Sequence, residues 1–376
     1  MATRYQCYLH VAMFALLVLG IGSRAFLPSV IRASQEQEKG AHIVLPIRHA
    51  MFGGAMPPDA FVTLDDSTEH VDSVQQYNLQ GEIGGWLLRK VYPSLTKIET
   101  SGWGAQLDPE IVMLRQPDVI FSWKGRDSAL LAMGFPQLVE LESSRGKQVE
   151  SHLKWWALFG RMLGKQDKAR QLSQRYTRQL AALKHEIVQA HHPSVLLIVG
   201  GYDAGFWLPT NHHYDERFIQ LNAKPLHKGL FGGKATLENV LMLDPDVIFL
   251  DTSAIGDQLV PAQLYVQPEW QAVRAVRGKR VYRMPDLPHF SIPVEDPIRL
   301  QWLAEILYPQ VMPATIRQEV VATILAAYDY RMSENDIDTL LNLQANQASQ
   351  NYQRFFRSEN KYVENAQHHR HRYPCQ

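Results

Sequence analysis

The sequence predicts an α/β protein of two Rossmann-like lobes, each built on a mostly parallel sheet, joined by one long α-helix, with a ligand cleft between the lobes. Three features predict it: an internal duplication, short apolar runs of strand length, and a proline-free helical stretch between the two copies. Glu110 to Phe121 reads EIVMLRQPDVIF and Glu238 to Phe249 reads ENVLMLDPDVIF. The glutamate, the valine two places on and the whole Pro-Asp-Val-Ile-Phe block coincide without a gap, so two units of similar construction are expected.

Each copy is explained by local physics. Asp108 and Thr236 are residue types that cap a helix start by accepting bonds from first-turn amides, and Pro109 sits where a helix tolerates proline. Apolar residues recur at helical spacing until Pro117 or Pro245 ends the helix. Val119-Ile120-Phe121 and Val247-Ile248-Phe249-Leu250 then suit strands buried on both faces. Helix, turn and buried strand in repetition indicate parallel sheets covered by helices.

Other strands are placed around these copies. His42 to Pro46 is expected to open the first lobe, followed by Phe61 to Leu64; Val195 to Val199 opens the second before Gly200-Gly201, and Arg280 to Met284 ends it. From Gln166 to Ala190, apolar or aromatic residues recur at Ala169, Leu172, Tyr176, Leu180, Leu183 and Ile187. A helix of about 25 residues would be a strut of roughly 38 Å. Residues 314–345 read as amphipathic helix, and the polar stretch from about Asn346 to the Gln367–Arg372 run (QHHRHR) as a mobile tail. The expected division is 1–25 export signal, 26–160 first lobe, 161–193 linker helix, 194–310 second lobe and 311–376 helical extension with tail.

Composition narrows the function. The 376 residues are 45% hydrophobic and 20% charged, as in soluble globular proteins. Lys plus Arg and Asp plus Glu number 38 each, so no global field favours nucleic acid or an anionic membrane. Arg4, the apolar run Val11–Gly22 and the small residues of Ser23-Arg24-Ala25 read as a signal peptide, with cleavage expected after Ala25. That run is shorter than the ~20 apolar residues needed to span a bilayer. No cysteine follows it to carry a lipid anchor; Cys7 leaves with the signal, and Cys375 alone can form no internal disulfide.

The ordered motifs resemble the periplasmic binding proteins for iron-siderophores, haem and vitamin B12, the class whose lobes are joined by one long helix. The residues that carry the resemblance are the two Glu…Pro-Asp-Val-Ile-Phe blocks and the helix between them. Pro268 to Val276, Gly278-Lys279-Arg280-Val281-Tyr282, Trp302-Leu303-Ala304 and Leu307-Tyr308-Pro309 add to it. The match covers roughly residues 40 to 310. It implies a monomeric, periplasmic binding component that hands a small-molecule metal complex to an ABC importer permease. It further implies that Glu110 and Glu238, first-turn residues also favoured there by the helix dipole, dock against the importer.

Ligands of open α/β sheets lie beyond the carboxyl ends of the strands. The loops expected there carry Arg48, then Trp123, Lys124 and Arg126, then Tyr202 and Trp207, then His212 and His213, and finally His289. Aromatic faces suit a flat or apolar ligand or a cation. Arg48, Lys124 and Arg126 suit anionic oxygens of a siderophore or oxyanion. His212, His213, His289 and Tyr202 could ligate a metal. Each also has a plainer role: Trp123 and Trp207 as covers of the lobe cores, His289 as a packed histidine, the adjacent His pair as solvated. No separate cofactor is expected, the ligand itself being a chelated metal such as Fe(III). Ferric siderophore leads; haem, cobalamin, a nickel or cobalt chelate and molybdate-type oxyanions follow.

No Gly-x-Ser-x-Gly, His-Glu-x-x-His, Cys-x-x-Cys or Gly-x-Gly-x-x-Gly motif is present, so an enzyme is not expected. A metal sensor, a metallochaperone or a metalloenzyme on the same fold would be the alternative of another class.

Overall fold

The computed structural model describes residues 43, 45–53, 56–75, 85–102, 106–142, 148–202, 205–209, 215–226, 233–251, 259–287 and 294–357. The expected export signal and both cysteines lie outside them, as does the histidine-containing end of the chain. Among the described residues no helix is long and apolar enough to cross a membrane.

The first lobe runs β1 (Ala50–Phe52), α1 (Asp59–Asp65), β2 (Val71–Val74), α2 (Gly85–Val91), β3 (Glu99–Thr100), α3 (Pro109–Arg115), β4 (Val119–Trp123), α4 (Ser128–Ala132) and β5 (Leu138–Leu141). Helices α5 (Gln148–Met162) and α6 (Gln166–Glu186) lead out of it. The second lobe runs β6 (Ser194–Ile198), β7 (Gly200–Tyr202), β8 (Gly205–Trp207), α7 (Asp215–Gln220), β9 (Lys224–Pro225), β10 (Lys234–Ala235), α8 (Leu237–Leu243), β11 (Val247–Leu250), α9 (Pro261–Val266), α10 (Arg274–Arg277) and β12 (Val281–Arg283). Helices α11 (Asp296–Leu307), α12 (Ile316–Tyr328) and α13 (Glu334–Leu340) follow.

The two main sheets are parallel, in the orders β3-β2-β1-β4-β5 and β9-β6-β11-β12. Strands β2-β1-β4-β5 and β9-β6-β11-β12 correspond, so the duplication read in the sequence is a duplication of topology. It extends to single bonds. Helices α3 and α8 both end on a left-handed residue, Gln116 (φ 49°) and Asp244 (φ 37°), before the shared proline. Asp118 then accepts the amides of Arg48 (2.7 Å) and His49 (2.9 Å) at the entry to β1. Its counterpart Asp246 accepts the Ser194 amide (2.8 Å) and hydroxyl (2.7 Å) at the entry to β6. The aspartate of the motif therefore staples neighbouring strands together at their amino ends.

Every buried strand splits its side chains between two layers, as the alternation of a pleated strand requires. Val119, Phe121, Val247 and Phe249 face one large core shared by both lobes, Ile120 faces a small core under α3, and Ile248 and Leu250 face a core under α8, α9 and α10. The shared core passes from Phe61 and Phe121, each meeting the Phe159 ring edge-on, through Tyr176 of α6 to Phe218, Phe249 and Trp302.

Four expectations are corrected. Phe61 to Leu64 lies in α1; buried on all sides, the run has no periodicity to distinguish helix from strand. Among the described residues, His42 to Pro46 contributes no strand, and the first lobe opens at Ala50, where Ala-Met-Phe lacks the β-branched signature. Helix α6 ends at Glu186 and is roughly 32 Å long. Rather than standing free it buries Ala169, Leu172, Tyr176 and Leu183, and packs so closely on α5 that a Cβ at Gly160 would lie 2.7 Å from that of Ala169. Finally, the chain from Asn346 to Arg357 is packed: Asn346, Tyr352 and Phe355 are buried, and the Trp302 indole donates to the Tyr352 hydroxyl at 2.9 Å. Polar composition hid this because Asn346 spends its amide on the Arg283 backbone, at 2.7 and 2.8 Å.

Candidate functional site

The order of each sheet reverses between its first two central strands, β1 and β4 in one lobe and β6 and β11 in the other. Beyond the carboxyl ends of such a pair the loops diverge and leave a crevice, the place where α/β sheets bind ligands.

In the first lobe this edge is built on Asp127. Its buried carboxylate accepts the Leu107 amide at 2.5 Å through Oδ1 and the Ser122 hydroxyl through Oδ2. Gly53 leaves β1 beside it, donating to the Phe121 carbonyl at 2.8 Å. A Cβ on Gly53 would lie 2.5 Å from Leu107 Cδ1 and 2.7 Å from Asp127 Oδ2, so only glycine fits. Trp123 ends β4, half-buried, its ring 5.1 Å from that of Trp155, which lies 4.7 Å from His152. Lys124 and Arg126 follow on a turn around left-handed Gly125 (φ 75°). The Gly125 amide donates to Glu140 at 2.7 Å, and Lys124 reaches Glu142 at 3.2 Å. Both cations are exposed. Trp123, Lys124 and Arg126 thus stand together at the carboxyl edge.

Arg48 does not join them. With β1 beginning at Ala50, Arg48 precedes the strand, and its amide bonds Asp118 at the amino edge, the opposite end of the sheet. The residues after β1, starting at Gly53, take the place expected for Arg48. An apolar run followed by Gly53-Gly54, matching Val195–Val199 followed by Gly200-Gly201, was the available signal.

In the second lobe β6 runs into a hairpin, β7 and β8, which with β10 forms a small antiparallel sheet. Trp207 lies on β8 with the Lys234 ammonium 4.8 Å from its ring centroid, a cation–π pairing. Phe206, on the other face, packs edge-on against Trp270 at 5.2 Å and anchors the hairpin to the lobe core. Tyr202 lies on β7 opposite Gly205; its side chain is outside the described residues, as are His212, His213 and His289. Asp251 follows β11 at this edge, buried, with its amide on the Ile198 carbonyl at 2.8 Å. Behind the edge Arg217 of α7 and Arg299 of α11 converge on Asp296, at 2.7 and 3.1 Å. Sequence reasoning missed Asp127, Asp251 and this triad because isolated charged residues carry no spacing signal. Among the described residues no group of three or more histidine, cysteine or acidic side chains is placed to hold a metal ion.

Glu110 and Glu238 occupy equivalent first-turn positions of α3 and α8, both exposed. The Thr236 side chain and Glu238's own amide hold the Glu238 carboxyl below its ordinary value. One turn on, at the spacing that shares a helix face, stand two exposed apolar side chains, Leu114 (85% exposed) and Met242 (69%). Each repeat helix therefore presents an acidic and an apolar group side by side.

Comparison with known proteins agrees with this architecture. A periplasmic solute-binding protein of Veillonella parvula is 20% identical, with a TM-score of 0.66 over 81% of this chain and 94% of its own. The molybdate periplasmic binding protein MolA of Haemophilus influenzae, in complex with molybdate, is 16% identical with a TM-score of 0.63, covering 78% and 96%. CeuE of Helicobacter pylori, in complex with nickel and histidine, is 12% identical with a TM-score of 0.59, covering 80% and 95%. These likenesses concern the fold. Among curated proteins no sequence match is found. The family model described as periplasmic binding protein matches residues 67–287, from the first lobe through the last strand of the second, and the chain belongs to that family.

Proposed function

We propose that this chain is the substrate-binding component of an ABC importer, which captures a ferric siderophore or similar chelated metal and hands it to a membrane permease. Exported to the periplasm and trimmed after Ala25, it would act as a monomer, without catalysis and without a resident cofactor. Residues 26–160 and 194–310 would form the lobes, 161–193 the connecting helix and 311–376 the extension. The observation that carries the reading is the pairing of family membership with two differently furnished carboxyl edges, one aromatic and cationic (Trp123, Lys124, Arg126), the other aromatic (Trp207). Exposed cations beside indole faces suit the anionic oxygens and flat surfaces of a metal chelate. Tyr202 and His289 are proposed to complete the set, with His212 and His213 as candidates for direct ligation.

Oxyanion or metal–histidine ligands form the second reading, favoured by the molybdate and nickel–histidine complexes of structural neighbours. A thermal-shift screen of residues 26–376 against ferric siderophores, haemin, cobalamin, nickel–histidine and molybdate separates them. A ligand at a hundredfold excess over its Kd stabilises the native state by about 2.7 kcal/mol. A saturable shift with one ligand fixes the class; turnover of any of them, with no saturable binding, would sink the reading.

Delivery is assigned to the exposed faces of α3 and α8, with Glu110 and Glu238 as charged contacts and Leu114 and Met242 beside them. Replacing both glutamates with alanine should abolish uptake and leave ligand affinity within about twofold, since surface changes away from a site alter little. Normal uptake by the double variant would remove the assignment.

A further inference from the structure

Two buried carboxyl groups, close enough for the charge of Glu295 to bear on Asp59, lie where α1 packs on α12, and neither the ligand edges nor the docking faces use them. Asp59 opens α1, directly beyond the carboxyl end of β1; Glu295 precedes α11, beyond the end of β12. Both are nine-tenths or more buried, at 4% and 3% exposure. Asp59 Oδ1 is buried with no hydrogen-bond partner among the described residues. Glu295 accepts the hydroxyl of Tyr328, the last residue of α12, whose ring lies 6.1 Å from that of Tyr92 in the first lobe. Thr63 of α1 also meets the Tyr328 hydroxyl while bonding the Asp59 carbonyl at 2.6 Å. One polar cluster thus joins α1, α11 and α12, elements from both ends of the chain.

Among the described residues the charges on the elements around this pair have partners of their own, and Arg299 also acts on Glu295. On α11, Asp296 is engaged by Arg217 of α7 and by Arg299, and Arg299 also reaches the Leu287 carbonyl at 3.3 Å. From α6, Lys168 bonds the Thr63 carbonyl at 2.6 Å and Asp66, past the far end of α1. On α5, which lies along α1, Glu150 and Lys154 pair at 2.9 Å, and His152 stacks on Trp155. On α12, Glu319 pairs with Arg175 of α6 at 2.6 Å.

We propose that Asp59 and Glu295 form a proton-operated latch at the lobe junction: neutral, they lie buried near one another, and loss of the proton to solvent loosens the junction of α1 with the packed pair α11 and α12. The cost of leaving a charge in that position supplies the drive, because burying an unpaired carboxylate is strongly unfavourable. Burial pushes the Glu295 carboxyl up to about 7, with Tyr328 and Arg299 opposing. Burial, then the charge of Glu295, raises Asp59 well above its ordinary value. A value raised in the folded state means that the closed junction binds the proton. Its contribution is therefore full below the ordinary carboxylate range near 4 and fades as pH rises to about 7. A ligand held between the lobes would be released more readily on the alkaline side.

Hydrogen exchange of residues 26–376 at pH 5.5 and pH 8, corrected for intrinsic rates, tests the latch. Amides of α1 and the first turn of α11 should lose about tenfold in protection at pH 8, and Glu295→Gln should keep the same protection at both. Asp59→Asn, which leaves the Tyr328–Glu295 bond in place, should halve the response or better, and it decides the matter should Glu295→Gln fail to fold. Equal protection at both pH values in the unsubstituted chain, or an undiminished loss in the variants, overturns the proposal.

Discussion

The two lobes agree at one end and differ at the other. At the amino edge Asp118 and Asp246 make the same pair of bonds to the neighbouring first strand, after helices that end on the same left-handed turn. At the carboxyl edge the residues in equivalent register differ. By register Phe52 pairs with Phe121 and Leu197 with Phe249, so Gly53 corresponds to Ile198 and Trp123 to Asp251. The first lobe closes that end around the buried Asp127 and therefore needs a glycine beside it; the second buries Ile198 in its outer core and extends a hairpin over it. The duplication preserved the end that staples the strands together, and the edge that diverged is the one proposed for recognition.

The comparison can be broken most severely at the shared end. Asp118→Ala and Asp246→Ala should each destabilise by about 2–4 kcal/mol, since two amide or hydroxyl bonds to a carboxylate are lost at a strand entry. Asp246 should cost the more, because it also pairs with Arg274 at 2.5 Å. Urea midpoints measure this, and a neutral effect at either position would end the equivalence. Burial opposes ionisation of Asp246, but the Ser194 amide and hydroxyl and Arg274 outweigh it and hold the carboxyl below its ordinary value. Its stabilisation is thus present above the unfolded value near 4 and lost as pH falls through the folded one. Asp246→Asn should flatten the acid limb of a stability–pH curve, opposite in sign to the alkaline loss expected from Glu295.

A smaller effect sharpens the difference at the other end. Gly53→Ala should cost about 1–3 kcal/mol through the clash with Leu107 and Asp127. Ile198→Val should cost about 0.5–1.5 kcal/mol, a methylene from a packed core. The least expected is Lys234→Ala, worth about 0.5–1 kcal/mol for a partly exposed cation–π pair, read best as a change in Trp207 fluorescence.

What the sequence revealed follows the same divide. The repeat helices, their caps at Asp108 and Thr236, strands β4, β6, β11 and β12 and the helix that became α6 were all legible, because each has a periodicity or a stop signal. Phe61–Leu64 reads as a strand because a fully buried seven-residue helix shows no polar face. That error, with the strand placed at His42–Pro46, moved the first carboxyl end upstream and brought Arg48 into a site it does not reach. Trp123, Lys124 and Arg126 were placed at the right edge because β4 was. Asp127, Asp59 and Glu295 stayed hidden, since the burial of a lone carboxylate depends on contacts distant in sequence.

The most direct test of the central claim is hydrogen exchange of residues 26–376 with and without a saturating ferric siderophore. Protection should appear together on the Trp123–Asp127 turn of the first lobe and the Gly200–Trp207 hairpin of the second, leaving the amino-edge loops at Asp118 and Asp246 unchanged. Protection confined to one lobe, or to the amino edges, would contradict a ligand held between the two carboxyl ends.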